Sequence, residues 1–184
     1  MVDINEKIFE IAYSDFEKLG KNDIIENNSD FKKHALIVKH ENYKYDILKE
    51  AKNKLISNTW KESDFGKGRI LDCVINSINL NINNLIDWRK KDDFKKLKAN
   101  RENEELLFNF FKSKISDEKA FNQFYEIGFS YQLIAYLFFI KNSQKYMPIS
   151  QGQFDKIFGS LGIEFKTSHN CSWENYLEFN DIIK

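Results

Sequence analysis

The sequence predicts an all-α fold: a single-domain helical bundle of about eight helices, with at most one short β element near residues 163–167. Three observations support this prediction. Apolar residues recur at three- and four-residue intervals along most of the chain. The 184 residues are 42% apolar and include 17 Phe, enough to build a substantial core. One Pro and seven Gly are too few for the many tight turns of a β-sandwich or barrel.

We expect one domain over residues 1–184, because no internal repeat or low-complexity linker divides the chain. The N-terminal helices are placed in residues 2–60, a candidate sub-lobe, and the main helical core in residues 69–184. The 28 basic and 28 acidic side chains give a formal net charge of zero. That balance argues against a dedicated duplex-binding protein, although not against a binding module within a larger complex.

The N-terminal third is predicted to contain two amphipathic helices separated by a polar stretch. The first covers residues 2–19 and is expected to end at Gly20, because Gly is a common helix stop. Residues 21–40 are expected to form a loop with a short apolar element at residues 35–38. The second helix lies within residues 41–58. Its apolar ridge follows i, i+4 spacing and comprises Tyr43, Ile47, Ala51 and Leu55.

The middle of the chain is predicted to contain a turn, a broken helix and a long core helix. Gly66 and Gly68 mark the turn. Asparagines lower the helix propensity of the segment that follows, which predicts a kink or break near residue 81. A further helix begins at the apolar residues 106–111. Ser116-Asp117-Glu118 then signals the start of a helix over residues 117–141, expected to be the central buried element.

The C-terminal third is predicted to contain two helices joined by an extended segment. Ser150 and Gln153 fit a capping box that starts the first helix, which is expected to end near Leu161. Alternating polarity over residues 163–167 predicts the short strand. Ser172 is expected to cap the last helix. The packing residues of that helix are predicted to be Tyr176, Leu177, Phe179 and Ile182.

The sequence predicts a cytoplasmic protein without a membrane-spanning segment. The N-terminus lacks the basic and apolar regions of a secretory signal. The most apolar segment, residues 124–140, is interrupted by polar side chains and is shorter than the roughly 20 residues that span a bilayer. Cys73 and Cys171 are far apart in sequence and do not form the pattern of a disulfide framework.

The sequence predicts no metal site and no cofactor. His169 and Cys171 are close in sequence, and Cys73 is a third candidate ligand, but the chain contains none of the usual zinc-binding spacings. The segment Gly66-Lys67-Gly68 is not a P-loop, because the GxxxxGK[ST] pattern is absent.

Asp155, Glu164 and Lys166 are the candidate catalytic residues of an alternative prediction. A carboxylate followed at a distance by Glu-x-Lys is the pattern of the PD-(D/E)xK nucleases. In such a site two carboxylates hold Mg²⁺ and the lysine positions the attacking water. These nucleases build the motif on a central sheet, which this sequence does not predict. We therefore prefer a non-catalytic role.

A basic segment that contains an aromatic residue is the candidate nucleic-acid-binding site. Six basic residues lie between Asp87 and Lys98, diluted by three aspartates. Basic side chains neutralise phosphates and an aromatic ring stacks on bases. A solvated helix end is the alternative explanation. The candidate residues are Trp88, Arg89, Lys90, Lys91, Lys95, Lys96 and Arg101.

Six stretches carry a resemblance to known proteins, namely residues 83–89, 131–141, 146–150, 154–155, 161–163 and 171–176. They are similar to helical regions of uncharacterised bacterial proteins associated with restriction or phage defence, some of which also carry nuclease domains. The resemblance covers residues 56–184. It implies a helical accessory or recognition region, and it transfers no catalytic residue.

Together these observations predict a non-catalytic cytoplasmic module that binds a protein partner or nucleic acid in a bacterial restriction or anti-phage defence system. The nucleic-acid form of this hypothesis expects Lys90, Lys91, Lys95 and Lys96 to form one exposed positive face. The nuclease alternative requires a sheet that carries Glu164. A second alternative, a structural protein that forms a homo-oligomer, requires a large exposed apolar patch.

Overall fold

Helices make up most of the chain that the structure describes, and no β-strand occurs in that part. The structure, a computed structural model, describes residues 5–22, 42–81 and 83–183. It confirms the predicted all-α, single-domain helical bundle. The α-helices in these ranges are α1 Glu6–Asn22, α2 Tyr43–Leu55, α3 Arg69–Ile78, α4 Trp88–Lys91, α5 Arg101–Phe111, α6 Asp117–Glu126, α7 Tyr131–Lys141, α8 Gln151–Ser160 and α9 Trp173–Ile183. Short 3-10 helices cover Ser57–Thr59, Glu62–Asp64 and Asp92–Lys96.

The N-terminal predictions are partly confirmed. Helix α1 continues to Asn22, so the predicted stop at Gly20 is wrong; a glycine inside a helix costs only about 1 kcal/mol and does not by itself end it. The predicted loop and apolar element between residues 23 and 41 lie outside the described residues. The ridge of α2 buries Ile47, Ala51 and Leu55, as its spacing predicts.

Helix α3 ends just before Asn79, the first of the asparagines that predict the break, so the break is confirmed. Its last residue is Ile78, and the side-chain amide of the buried Asn83 donates a 2.8 Å hydrogen bond to the Ile78 carbonyl oxygen. The carbonyl at the helix end is therefore paired by a side chain instead of by a further turn of helix.

Helix α7 is the centre of the core. Every residue from Leu133 to Ile140 is buried, so this helix is apolar on all sides, as expected for a helix enclosed by others. Aromatic rings surround Phe138, whose centroid lies 4.8 Å from that of Phe110 and 4.9 Å from that of Tyr146. Offset and edge-to-face ring pairs of this kind add to the stabilisation that burial provides.

The single helix predicted over residues 117–141 is wrong, because the chain forms two helices, α6 and α7, joined by a corner at residues 127–130. Gly128 has a φ of 89°, which ends α6. The amide N–H of Gly128 bonds to the Tyr125 carbonyl oxygen, and that of Phe129 bonds to the Phe124 carbonyl oxygen. These are the bonds of a Schellman motif, and the stacked Phe124 and Phe129 rings supply its hydrophobic contact.

A carboxylate from a distant helix closes the N-terminus of α3. Glu104 of α5 is fully buried. Its Oε1 accepts hydrogen bonds from the amides of Ile70 at 2.8 Å and Leu71 at 3.1 Å, and its Oε2 accepts one from Gly68 at 3.1 Å. The first amides of a helix have no partner within the helix and attract negative charge, so Glu104 fixes α5 to α3.

The C-terminal third differs from the prediction in its local bonding. Ser150 is the residue before α8, but its side chain makes no capping bond, so the predicted capping box does not form. Residues 163–167 alternate between buried and exposed, yet they form no strand, because no neighbouring strand pairs with them in the described chain. Ser172 caps α9 as predicted, since its Oγ accepts a 3.1 Å bond from the Asn175 amide. Leu177 is exposed instead of packed.

Replacing Glu104 with alanine is expected to lower the free energy of unfolding by about 3–5 kcal/mol. The substitution leaves three amides at a buried helix end without an acceptor, and each such group costs about 1–3 kcal/mol. Urea unfolding measures the change. The control is Glu105→Ala on the exposed side of the same helix, for which we expect a change within about 0.5 kcal/mol. Equal losses in the two variants would contradict the capping role.

Replacing Gly128 with alanine is expected to destabilise the protein by about 1–2 kcal/mol. A side chain at φ 89° is strained, whereas the added Cβ itself would make only an ordinary contact, 3.5 Å from the Lys96 ammonium nitrogen. The control is Gly152→Ala in the first turn of α8, where nothing lies within 4 Å of the added methyl group. Gly152→Ala is expected to leave the stability unchanged or to raise it, because alanine favours a helix more than glycine does. Thermal unfolding of both variants measures the difference.

Candidate functional site

The candidate basic segment folds into a small platform made of α4 and the 3-10 helix Asp92–Lys96, which contact each other. Asp87 caps α4, since its Oδ1 accepts a 2.9 Å hydrogen bond from the Arg89 amide. Phe94 and Leu97 are buried beneath the platform, and the Phe94 ring lies 5.1 Å from the Phe129 ring. The platform therefore rests on the core through these two apolar side chains.

Three hydrogen bonds fasten the platform to the corner between α6 and α7 and to the start of α7. Asp93 Oδ2 accepts a 3.0 Å bond from the Ser130 amide, which precedes α7. The Lys96 ammonium donates to the Gly128 carbonyl oxygen. The Asp87 amide donates a 3.0 Å bond to Gln132 Oε1. Because both main-chain partners belong to the corner, the break between α6 and α7 creates the attachment site of the platform.

Trp88 projects from this platform into solvent. Its side chain is 73% exposed, whereas Trp60 is buried and Trp173 is partly buried. Large aromatic side chains are mostly buried in folded proteins, so an indole ring that is mostly exposed is a candidate binding residue. The guanidinium carbon of Arg89 lies 5.9 Å from the centre of the ring, within the range of a cation–π contact.

The charged groups around Trp88 form exposed local ion pairs. Both Asp87 oxygens accept bonds from the Arg89 guanidinium, at 2.9 and 3.0 Å. These bonds, with the Arg89 amide, lower the pKa of Asp87 to about 2. Lys95 contacts Asp92 at 2.9 Å, and both side chains are largely exposed. Such surface pairs contribute little to stability, so a ligand phosphate competes for these cations at low cost.

Six of the seven candidate residues are exposed, and Lys91 is partly buried. Trp88, Arg89, Lys90 and Lys95 are exposed on the platform, and we call these four residues the Trp88 surface. The side chain of Lys91 points back to the chain, where its ammonium donates a 2.9 Å bond to the Asn83 carbonyl oxygen, and burial lowers its pKa.

The last two candidates have structural contacts of their own. Lys96 is bound to the corner and to Asp93, at 2.9 Å from the Asp93 Oδ1. The Arg101 guanidinium lies 5.8 Å from the centre of the Phe65 ring, beside the turn at residues 65–68. Exposed Lys98 was not among the candidates, although it extends the same basic run.

The candidate nuclease residues do not converge on a site. Asp155 Oδ1 accepts bonds from the Thr167 amide at 2.7 Å and from its hydroxyl at 2.8 Å, while Oδ2 accepts one from the Ser168 amide at 3.1 Å. Burial opposes ionisation of Asp155, but these bonds outweigh it and lower its pKa. Glu164 and Lys166 are exposed on an irregular segment. The nuclease alternative therefore lacks the sheet that it requires within the described chain.

A polar groove of about 570 Å³ is lined by the loop that contains the candidate ligands His169 and Cys171. Burial raises the pKa of the Cys171 thiol to about 12, which keeps it protonated and unreactive near neutral pH. Among the described residues, no group of three or more His, Cys, Asp or Glu side chains is arranged to hold a metal ion. Cys73 lies apart, on α3.

No protein-family model matches this chain, and neither a curated protein nor a solved structure is significantly similar to it. Within the described residues, no helix has the length and apolar character needed to cross a membrane. The resemblance to proteins of restriction and phage defence stays a prediction. The Trp88 surface is therefore the feature from which we infer a function.

Asp93→Ala is expected to loosen the platform and to destabilise the protein by about 1–2 kcal/mol, because two charge-assisted hydrogen bonds are lost. Burial opposes ionisation of Asp93, but bonds from Lys96 and Ser130 outweigh it and hold its pKa below 3.8. The stability that Asp93 contributes is therefore full above pH 3.8 and is lost as the pH falls below that value.

Urea unfolding of wild type and Asp93→Ala, at pH values above and below 3.8, measures the difference in their free energies of unfolding. The matched control is Asp92→Ala, which removes only an exposed pair with Lys95 and is expected to change stability by less than about 0.5 kcal/mol. A difference between wild type and Asp93→Ala that does not shrink in acid would contradict the assignment.

Proposed function

We propose that this chain is a non-catalytic helical module that binds nucleic acid through the Trp88 surface, and that it serves as a recognition region in a bacterial restriction or anti-phage defence system in the cytoplasm. The observation that carries the proposal is the exposed indole ring in a segment with six basic and three acidic residues, a net charge of +3. The sequence resemblance supplies the biological setting.

The electrostatics of the platform support a polyanionic partner. Arg89, Lys90 and Lys95 are exposed on the platform, whereas Asp93 faces the corner and is largely covered. A phosphate that approaches Lys95 meets an exposed ammonium group whose partner, Asp92, is itself exposed to solvent, and Lys90 is exposed as well. Binding then releases counterions from the nucleic acid and weakens as salt is added.

The anchoring of the platform also supports a binding role. A surface held by hydrogen bonds to the corner and by buried Phe94 is ordered before a ligand arrives, which lowers the entropic cost of binding. A protein partner is the competing hypothesis, because Trp and Arg are common at the centres of protein interfaces. An acidic protein would use the same cations, so direct binding measurements must decide between the two.

Binding of labelled oligonucleotides, followed by fluorescence anisotropy at 50–200 mM salt, tests the proposal. We expect the slope of log affinity against log salt to become shallower by about 2 when Lys90 and Lys95 are both replaced by alanine, because each lysine contacts about one phosphate. The control removes two other exposed lysines, one from α2 and one from α8, by Lys49→Ala with Lys156→Ala, and is expected to leave the slope unchanged.

Two results would overturn the proposal. Oligonucleotide binding that is absent at 50 mM salt would leave the protein-partner hypothesis as the better one. Binding that both double variants weaken equally would show that the Trp88 surface is not the site, since the same number of positive charges is removed in each case.

A further inference from the structure

We infer that the Trp88 surface selects single-stranded nucleic acid, with the indole ring of Trp88 stacked on a base and the neighbouring cations on the backbone phosphates. This inference rests on the proposed function and adds the form of the ligand to it. The observation behind it is the juxtaposition of an exposed aromatic face with exposed cations on a fixed platform.

The two planar groups of the surface suit unpaired bases. The Trp88 ring is 73% exposed, and the Arg89 guanidinium is held in place by two bonds to the Asp87 carboxylate. Indole rings and guanidinium planes both stack on nucleobases. Stacking tolerates any base, because every base has a π-face, so we expect little sequence preference.

Duplex nucleic acid does not fit this surface well. In a duplex both faces of each base are covered by the neighbouring base pairs, so the Trp88 ring has no exposed base face to contact. Reading the major groove instead requires a helix long enough to lie in it. Helix α4 has four residues, a length of about 6 Å. It also runs directly into a 3-10 helix that is fastened to the corner.

The lysines of the platform are placed to contact successive phosphates of a single strand. Lys90 lies next to Arg89 on α4, and Lys95 lies on the adjoining 3-10 helix. A backbone that crosses the platform therefore meets cations on both of its helical segments, with Trp88 at the start of the first. Lys98 continues the basic run toward α5.

A comparison of Trp88→Ala and Trp88→Phe with wild type tests the inference, using a labelled 12-nucleotide oligothymidylate and a duplex of the same length. We expect wild type to bind the single strand more tightly than the duplex at the same salt. Trp88→Ala is expected to lose about tenfold in affinity for the single strand, the size of one base stack, and to keep the salt slope of wild type. Trp88→Phe retains an aromatic face and is expected to keep most of the affinity.

Intrinsic fluorescence gives a second readout that does not depend on affinity. Trp88 is the most exposed of the three tryptophans, so quenching on addition of unlabelled oligothymidylate reports contact with its ring. We expect quenching in wild type and its loss in Trp88→Phe. Because Trp88 is exposed, both variants are expected to unfold at the wild-type urea concentration.

The outcomes separate this inference from the proposed function. Salt-dependent single-strand binding that Trp88→Ala leaves unchanged, with no quenching in wild type, would overturn the stacking role while the binding function stands. Duplex binding as tight as single-strand binding would overturn the selectivity. The absence of binding to either oligonucleotide would overturn the proposed function together with this inference.

Discussion

The corner between α6 and α7 is the constraint on which the arrangement of the candidate site depends. Gly128 ends α6 in the left-handed region of the backbone, and the turn presents the Gly128 carbonyl oxygen and the Ser130 amide outward. These two groups bind Lys96 and Asp93 of the platform. A continuous helix over the same residues would satisfy both groups internally, and the platform would lose two of its three hydrogen bonds to this region.

Carboxylates from distant segments organise several loops and helix ends in this fold. Glu104 closes α3, Asp93 binds the amide before α7, and Asp155 holds the loop at residues 167–168. These three carboxylates are directed at backbone amides, whereas Lys90 and Lys95 are presented to solvent. A formal net charge of zero therefore describes the composition and not the local surface around Trp88.

Sequence patterns predict the parts of this fold that are decided locally. The ridge of α2, the break after α3 and the cap of α9 follow from apolar spacing and from residue types near helix ends. The corner is harder to predict, because apolar residues continue through it at Ile127 and Phe129, although Gly128 followed by Ser130 is the signal of a helix stop and a new helix cap.

The attachment of the platform could not be predicted from sequence, because it depends on contacts between residues 32 to 45 positions apart. Nor does the sequence distinguish Lys91, whose ammonium binds the Asn83 carbonyl oxygen, from the exposed Lys90 beside it, because both are lysines in the same basic run. The central claim is that nucleic acid meets the protein at the Trp88 surface. The most direct test is to map amide and indole NMR shifts while oligothymidylate is added to the full chain. We predict that the largest shifts cluster at residues 87–98 and include the Trp88 indole N–H. Shifts that centre on the groove around His169 would contradict the account.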